Sequence, residues 1–254
     1  MSTTRPRSDV DLRALRLPAV DAPMWDLVER MRGGETMSLA ENLQIVSGLA
    51  FPASPEVLNV VAQALAEVEA RHLIVGGFAV GALTARPRAT VDIDIMIARE
   101  DAGPFEEALA RRLGPLEIER YRSLDRIKRP AIDLIMSDPT ALRRESLRAE
   151  HGQDVELAGV VVRLPVPELA VVLKYASMVS RSRSADDARQ DLADLGRLLT
   201  NNPALDDALL ARLAKTLHTR SPKELPRIIA TLRAGGDIGM SRAGSRVMVT
   251  FIDP

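Results

Sequence analysis

The chain has 254 residues, of which 46% are hydrophobic, so it is long enough to bury one large core or two smaller ones. Its 34 Lys and Arg residues nearly balance 35 Asp and Glu residues, and the formal net charge of −1 excludes a global positive field that would hold nucleic acid. Aromatic residues make up only 3%, which argues against base recognition by stacked rings, and the absence of Cys excludes disulfides and Cys-based zinc sites.

Residues 1–54 predict an N-terminal extension whose function the sequence does not reveal. They have a polar, Arg-containing start without the apolar segment of a secretory signal, and Gly33-Gly34 later interrupts a short helical pattern. No apolar run in the sequence reaches membrane-spanning length. We therefore expect a cytoplasmic protein with no membrane partner.

From Glu56 onward the sequence predicts alternating helices and strands. Apolar residues at helical spacing predict a first helix, residues 73–75 form a short strand-like run, and Gly76-Gly77 turns the chain into a second helix. Residues 92–97 alternate between charged and apolar side chains with period two. Both carboxylates of this strand, Asp92 and Asp94, are therefore predicted to project from one face.

The next segments complete a predicted α+β core over residues 55–165. A helix over residues 103–113 precedes a basic stretch, a strand over residues 131–136 carries Asp133, and residues 155–164 are typical of a hairpin. After Pro165 helix follows helix, which predicts a helical C-terminal domain over residues 166–254, although residues 246–252 are strand-like. The expected architecture is a mixed sheet backed by helices and followed by this helical domain, with the active site in the cleft between them.

Three features stand in the order that nucleotidyl transfer needs. A glycine pair after a strand, Gly76-Gly77, lets backbone N–H groups and a helix N-terminus approach a phosphate. Asp92 and Asp94 share a strand face and can together ligate a hard ion such as Mg²⁺ or Mn²⁺. Asp133 on a later strand either completes a second metal site or accepts the proton of an attacking hydroxyl.

Each feature alone has an ordinary structural interpretation. A Gly-Gly pair is most often only a turn, and Asp-x-Asp on a strand is more often a solvated edge. The combination favours a site because all three Asp side chains interrupt otherwise apolar strand segments, where an unpaired carboxylate is costly.

Two motifs resemble the signature of the DNA polymerase β nucleotidyltransferase superfamily. They are the run from His72 to Val80, with its Gly-Gly-x-Ala-Val pattern, and Arg88-Ala-Thr-Val-Asp-Ile-Asp-Ile95. More narrowly, the pattern is similar to the abortive-infection toxin-type (AbiEii-like) nucleotidyltransferases. The similarity covers roughly residues 56–199 and is strongest from Arg88 to Ile95. Phe78 follows Gly77, where many superfamily members have a Gly-Ser turn.

The resemblance implies roles for several more residues. Asp133 and Lys174 occupy the places of the third Asp and of a Lys on a downstream helix, while Arg88 positions phosphate and Thr90 shapes the entry to the metal strand. Helical spacing places Arg181 on the face of Lys174, so that two cations point at a triphosphate, whereas the ordinary alternative is a Lys174 that snorkels from a buried helix. Asp187, Asp191 and Asp194 share a face of the next helix; they either orient one of these cations or, as we favour, form a solvated face.

The expected reaction is attack of an acceptor hydroxyl on the α-phosphate of a nucleoside triphosphate such as ATP, with two Mg²⁺ ions neutralising charge. The resemblance implies an RNA acceptor, such as the 3′ end of tRNA, and a toxin paired with an antitoxin protein. A basic segment before Asp133 either offers a track for RNA or is simply solvated, and it consists of Arg120, Arg122, Arg126, Lys128 and Arg129. The alternatives are transfer to a small hydroxyl compound, as in antibiotic-modifying members, or to a protein side chain, and a non-catalytic binding or regulatory module.

Overall fold

The computed structural model describes residues 55–84, 92–157, 160–181, 183–217, 221–243 and 246–252, and the elements are numbered within these ranges. The helices are α1 Pro55–Glu67, α2 Gly76–Thr84, α3 Arg99–Leu113, α4 Ala141–Ser146, α5 Pro167–Met178, α6 Ala185–Asn201, α7 Asp207–Ala214 and α8 Ser221–Arg233. The strands are β1 His72–Ile74, β2 Ile93–Ile97, β3 Ile118–Arg120, β4 Leu124–Ile127, β5 Ile132–Met136, β6 Gly152–Leu157, β7 Val160–Pro165, β8 Asp237–Ala243 and β9 Arg246–Ile252. The extension predicted for residues 1–54 lies outside the described ranges.

A mixed five-stranded sheet organises the first part of the fold, with the strand order β1-β2-β5-β4-β3. Strand β2 pairs with β5 in parallel and with β1 antiparallel, and β4 pairs antiparallel with both β5 and β3. Two hairpins, β6-β7 and β8-β9, form separate two-stranded sheets. The parallel pair β2 and β5 therefore lies at the second and third positions of the sheet, where both strands have neighbours on each side.

The sheet buries a different set of side chains on each of its faces. On one face Ile93, Ile95 and Leu134 join a buried cluster with residues of α1 and α3. Because successive side chains of a strand point to opposite faces, the intervening positions Asp94 and Asp133 project from the other face. The period-two pattern of residues 92–97 thus predicted the orientation of β2 correctly.

A second buried cluster joins the opposite face of the sheet to the C-terminal helices. Leu73, Val80 and Met96 pack with apolar residues of α5, α6, α7 and α8, among them the fully buried Tyr175. Burial of one such side chain contributes about 1.5–3 kcal/mol. The face that carries the aspartates is therefore covered, beside the carboxylates, by the helical part of the chain.

The expectation of an α+β fold with a mixed sheet and a helical C-terminal part is confirmed. The strand-like segment at residues 246–252 is β9, and it pairs with β8, a strand that the sequence did not reveal. In the described ranges, no helix has both the length and the apolar character that crossing a membrane requires.

Candidate active site

Three carboxylates converge where β2 and β5 lie side by side. Asp94 in β2 has Asp133 in β5 as its register partner, and Asp92 directly precedes the first residue of β2. One carboxylate oxygen from each residue lies within 4.8 Å of the oxygens of the other two. The fold therefore brings together the three acidic residues that the sequence singled out, although they come from two different strands.

Gly76 packs directly against the carboxylate of Asp94. The residue has a φ of +67°, a left-handed conformation that favours glycine, and it begins α2 immediately after β1 and Val75. A Cβ at this position would lie 1.8 Å from Asp94 Oδ2, which is far inside van der Waals contact. The glycine at position 76 is thus required by the placement of Asp94, a reason that the sequence alone did not supply.

The surroundings of Asp94 disfavour its charge. Burial, followed by the negative charges of Asp92 and Asp133, raises the pKa of Asp94 to about 7. Carboxylates this close to one another repel, so their ionised forms cost free energy unless a cation offsets the charge. Hard divalent ions such as Mg²⁺ and Mn²⁺ prefer such carboxylate oxygens. Asp92, Asp94 and Asp133 therefore fit a divalent-ion site.

Lys174 is a buried cation held by two buried carboxylates of the next helix. Its ammonium Nζ lies 2.9 Å from Asp191 Oδ1 and 2.9 Å from Asp194 Oδ2, and the side chains of the two aspartates are 1% and 0% exposed. Its positive charge acts to lower the pKa of Asp94, against the larger effect of burial. Lys174 thus does not snorkel to solvent, and it lies close enough to the carboxylate triad to influence it.

We predicted that the three aspartates of α6 form a solvated face, and this prediction is wrong for Asp191 and Asp194. Only Asp187 is exposed, and it forms a capping box with Ser184 at the start of the helix. The physical reason is that α5 packs against α6 and buries the ammonium of Lys174, which requires opposite charges within hydrogen-bonding distance.

A second cation, Arg183, contacts the same buried aspartate. Its Nε lies 3.1 Å from Asp191 Oδ2 and 2.9 Å from Ser177 Oγ, and its charge also acts to lower the pKa of Asp94. The helical spacing that placed Arg181 on the face of Lys174 was wrong, because α5 ends at Met178. Arg181 is exposed, and its role in nucleotide binding stays a prediction.

Arg126 of β4 forms a bidentate ion pair with Asp133, the third carboxylate of the triad. Its Nε and Nη2 each donate a hydrogen bond of 2.8 Å, to Oδ1 and Oδ2 of Asp133 respectively. The two residues are register partners in adjacent antiparallel strands. The sequence contained both residues, but their pairing follows only from the strand register.

The basic segment before Asp133 has a mixed-charge surface instead of a continuous positive one. Besides Arg126, Arg120 pairs with Glu106 and Asp125. Lys128 lies 2.6 Å from Glu117 and 2.9 Å from Glu119. Three of the five cations proposed as an RNA track are therefore engaged in ion pairs, while Arg122 and Arg129 are exposed.

The remaining predicted site residues divide into two groups. Gly77 lies buried in the first turn of α2, where backbone N–H groups have no acceptor within the helix. Its contact with phosphate stays a prediction. Arg88 and Thr90 lie outside the described residues.

No protein-family model matches the sequence, and no curated protein matches it. Among solved structures, the antibiotic-resistance factor ANT(2'')-Ia is similar at 18% identity and a TM-score of 0.44, covering 70% of this chain and 94% of its own. An antigenic nucleotidyltransferase-like protein from Paracoccidioides brasiliensis is similar at 21% identity and a TM-score of 0.45, covering 70% of this chain and 91% of its own.

The lincosamide antibiotic adenylyltransferase LnuA, in its lincomycin-bound form, is similar at 15% identity and a TM-score of 0.41. This likeness covers 57% of the present chain and 96% of LnuA. Similarity at this level does not by itself assign an activity to the chain.

Proposed function

We propose that this protein is a metal-dependent nucleotidyltransferase that moves a nucleoside monophosphate from a nucleoside triphosphate to an acceptor hydroxyl. The observation that carries the proposal is the convergence of Asp92, Asp94 and Asp133, with one oxygen of each within 4.8 Å of the others, beside the N-terminus of α2. An oxygen-rich cluster next to a helix N-terminus suits a divalent ion that is bound together with phosphate groups.

In this proposal Asp92 and Asp94 hold a divalent ion, Mg²⁺ or Mn²⁺, and Asp133 either ligates a second ion or accepts the proton of the acceptor hydroxyl. The bound ion neutralises charge on the phosphates of the nucleotide. In the transfer step the hydroxyl oxygen bonds to the α-phosphorus, the bond from that phosphorus to the bridging oxygen breaks, and pyrophosphate leaves. The hydroxyl proton passes to Asp133, or to water if Asp133 ligates the second ion. Gly76 and Gly77 give phosphate oxygens close access to backbone N–H groups.

Lys174 has a fixed location in the proposed site because both of its carboxylate partners are buried. Two further cations lie near these aspartates: Arg183 Nε is 3.1 Å from Asp191 Oδ2, and Arg197 Nη1 is 3.9 Å from Asp194 Oδ1. Three cations therefore face two carboxylates. We infer that Asp191 and Asp194 hold Lys174 in place and that its ammonium, whose charge acts on Asp94, also supplies a positive charge for the triphosphate.

For the acceptor, the first hypothesis is an RNA hydroxyl such as the 3′ end of tRNA, with this protein as a toxin neutralised by an antitoxin. The second is a small hydroxyl compound, and the ion pairs of Arg120, Arg126 and Lys128 favour it, because a strand pair of mixed charge attracts a polyanion only weakly.

The test is incubation of the purified protein with Mg²⁺ and each of four α-labelled triphosphates, in parallel with total tRNA and with a panel of small hydroxyl compounds. Label in RNA supports the first acceptor hypothesis, and label in a small compound with unlabelled RNA supports the second. Asp94→Asn removes the label in either case, whereas Asp186→Asn, which changes an exposed carboxylate of α6, retains it.

Growth assays test the toxin hypothesis separately. Expression of the wild type arrests growth and expression of Asp94→Asn does not, if transfer to RNA is the toxic activity. A folded Asp94→Asn variant that matches the wild type in every assay would identify a non-catalytic module and contradict the proposed function.

A further inference from the structure

Asp94, Asp133 and Arg126 lie side by side in three adjacent strands. Asp94 pairs in register with Asp133, and Asp133 pairs in register with Arg126. The guanidinium donates to both oxygens of Asp133 at 2.8 Å, the bidentate geometry that favours an Arg–carboxylate pair. One of the three carboxylates in the candidate metal site is thus already bound to a cation of the protein itself.

Charge balance gives this pair a consequence for metal binding. The three carboxylates carry three negative charges when ionised, and one divalent ion together with the guanidinium of Arg126 neutralises them. A second divalent ion would leave a net positive charge in the site unless further anionic groups enter with it. The phosphates of a nucleotide are such groups, because they carry several negative charges.

Arg126 is the partner that is able to move. Its side chain is 47% exposed, whereas that of Asp133 is 10% exposed and belongs to a strand with neighbours on both sides. Loss of the guanidinium alone would leave the buried carboxylate of Asp133 without a counter-charge, so Arg126 leaves only when a divalent ion replaces it there and phosphates accept the guanidinium. Rotation of the Arg126 side chain is sufficient and requires no change in the sheet.

We propose that Arg126 neutralises Asp133 in the nucleotide-free protein and keeps this carboxylate from ligating a metal ion until a nucleotide binds. Without nucleotide, the site takes one divalent ion at Asp92 and Asp94. With nucleotide, the guanidinium transfers to phosphate oxygens and Asp133 ligates a second ion. This inference rests on the proposed function and takes Asp133 in its role as a metal ligand.

The experiment is a titration of the nucleotide-free protein with Mn²⁺, with the free ion measured by electron paramagnetic resonance. The wild type binds one ion per chain, and Arg126→Gln binds a second ion or binds Mn²⁺ at least about tenfold more tightly, because a nearby positive charge has been removed. Lys128→Gln, which removes one positive charge two residues further along the chain, matches the wild type. Arg126→Lys keeps the charge and also binds one ion.

Three outcomes would overturn the inference: wild type that binds two ions without nucleotide, Arg126→Gln that binds Mn²⁺ as the wild type does, or Arg126→Gln that binds it more weakly. Circular dichroism of each variant confirms folding, and the rise in melting temperature on addition of Mn²⁺ provides a second measure of affinity. A repeat titration with a non-hydrolysable triphosphate separates the two proposals. Wild type that takes up no Mn²⁺ even then contradicts the proposed function as well, whereas normal uptake with an unchanged Arg126→Gln contradicts only the role of Arg126.

Discussion

Gly76 leaves the space that the carboxylate of Asp94 occupies. A methyl group at position 76 would lie 1.8 Å from Asp94 Oδ2, and the φ of +67° is itself unfavourable for any side chain. The strand-to-helix turn and the acidic strand are therefore one structural unit, in which the first glycine of the pair determines where the carboxylate of Asp94, a proposed metal ligand, lies.

Gly76→Ala is expected to weaken both the fold and the proposed metal site. The left-handed backbone alone costs about 1–2 kcal/mol with a side chain, and displacement of Asp94 is expected to lower Mn²⁺ affinity about tenfold or more. Urea unfolding and Mn²⁺ titration measure the two effects. The matched control is Gly196→Ala in α6, where an added Cβ has nothing within 4 Å and where the helix is expected to gain about 0.5–1 kcal/mol. Unchanged Mn²⁺ binding in Gly76→Ala would show that Asp94 does not need this space.

Lys174→Met is expected to lower the free energy of unfolding by about 3–5 kcal/mol, because it leaves two buried aspartates without their shared ammonium. Urea denaturation measures this loss. Lys128→Met, which breaks exposed ion pairs, is expected to change stability by no more than about 0.5–1 kcal/mol.

A triple variant separates the structural role of Lys174 from its proposed role in nucleotide binding. Lys174→Met combined with Asp191→Asn and Asp194→Asn removes the uncompensated charges and is expected to regain much of the stability. If Lys174 contacts the triphosphate, nucleotide affinity stays low in this stable variant. Recovery of nucleotide binding would show that Lys174 stabilises the fold and does not contact the nucleotide.

Asp133→Asn distinguishes the two roles left open for the third carboxylate. As a metal ligand, Asp133 is expected to account for one of two Mn²⁺ ions bound in the presence of a non-hydrolysable triphosphate, so the variant binds one. As a proton acceptor, it would leave the ion count at the wild-type value and lower only the transfer rate, by about a hundredfold or more. Counting bound Mn²⁺ by electron paramagnetic resonance therefore decides between them.

The pKa of about 7 for Asp94 predicts a pH-dependent metal site. Divalent ions bind the ionised carboxylate, so protons compete below this pKa, and Mn²⁺ affinity is expected to fall about tenfold for each pH unit below about 7. Calorimetric titrations across this range provide the measurement. An affinity independent of pH from about 5 to 8 would contradict a raised pKa at this residue.

The same shift predicts a trend in the stability of the metal-free protein. The folded-state pKa of Asp94 is raised above its ordinary value of 3.8, so the stability associated with its neutral form is present at low pH and is lost as the pH rises through about 7. Asp94→Asn has no carboxyl group to ionise at this position, so it does not lose this stability as the pH rises. Without metal at pH 8 it is therefore expected to be more stable than the wild type. Thermal unfolding of both proteins over this range tests the trend.

Local patterns in the sequence predicted much of the fold. Period-two alternation identified the face of β2 that carries Asp94, and apolar residues at helical spacing identified α1. Strand β8 was missed because its residues, with Gly239, Ser241 and Arg242, lack the β-branched and aromatic content of a typical strand. Its pairing with β9 compensates for this weak local preference.

The contacts within the site were harder to predict from the sequence, because they depend on which strands and helices become neighbours. The pair of Arg126 and Asp133 follows from the register of β4 and β5, and no local pattern encodes that register. Likewise, the buried partners of Lys174 lie on the following helix, and the end of α5 at Met178 made Arg183 instead of Arg181 the second cation at Asp191. Residue types therefore predicted which carboxylates converge, whereas the pairing of charges required the fold.

The second buried cluster limits how far this protein can be shortened. Leu73, Val80 and Met96 of the sheet region are covered by side chains from α5 to α8. A fragment that stops at Pro165 would expose these residues to water on the same face that presents Asp94 and Asp133. A shortened form of this chain must therefore keep the C-terminal helices or replace their apolar cover, and grafting the acidic strands alone onto another scaffold would leave an aggregation-prone surface.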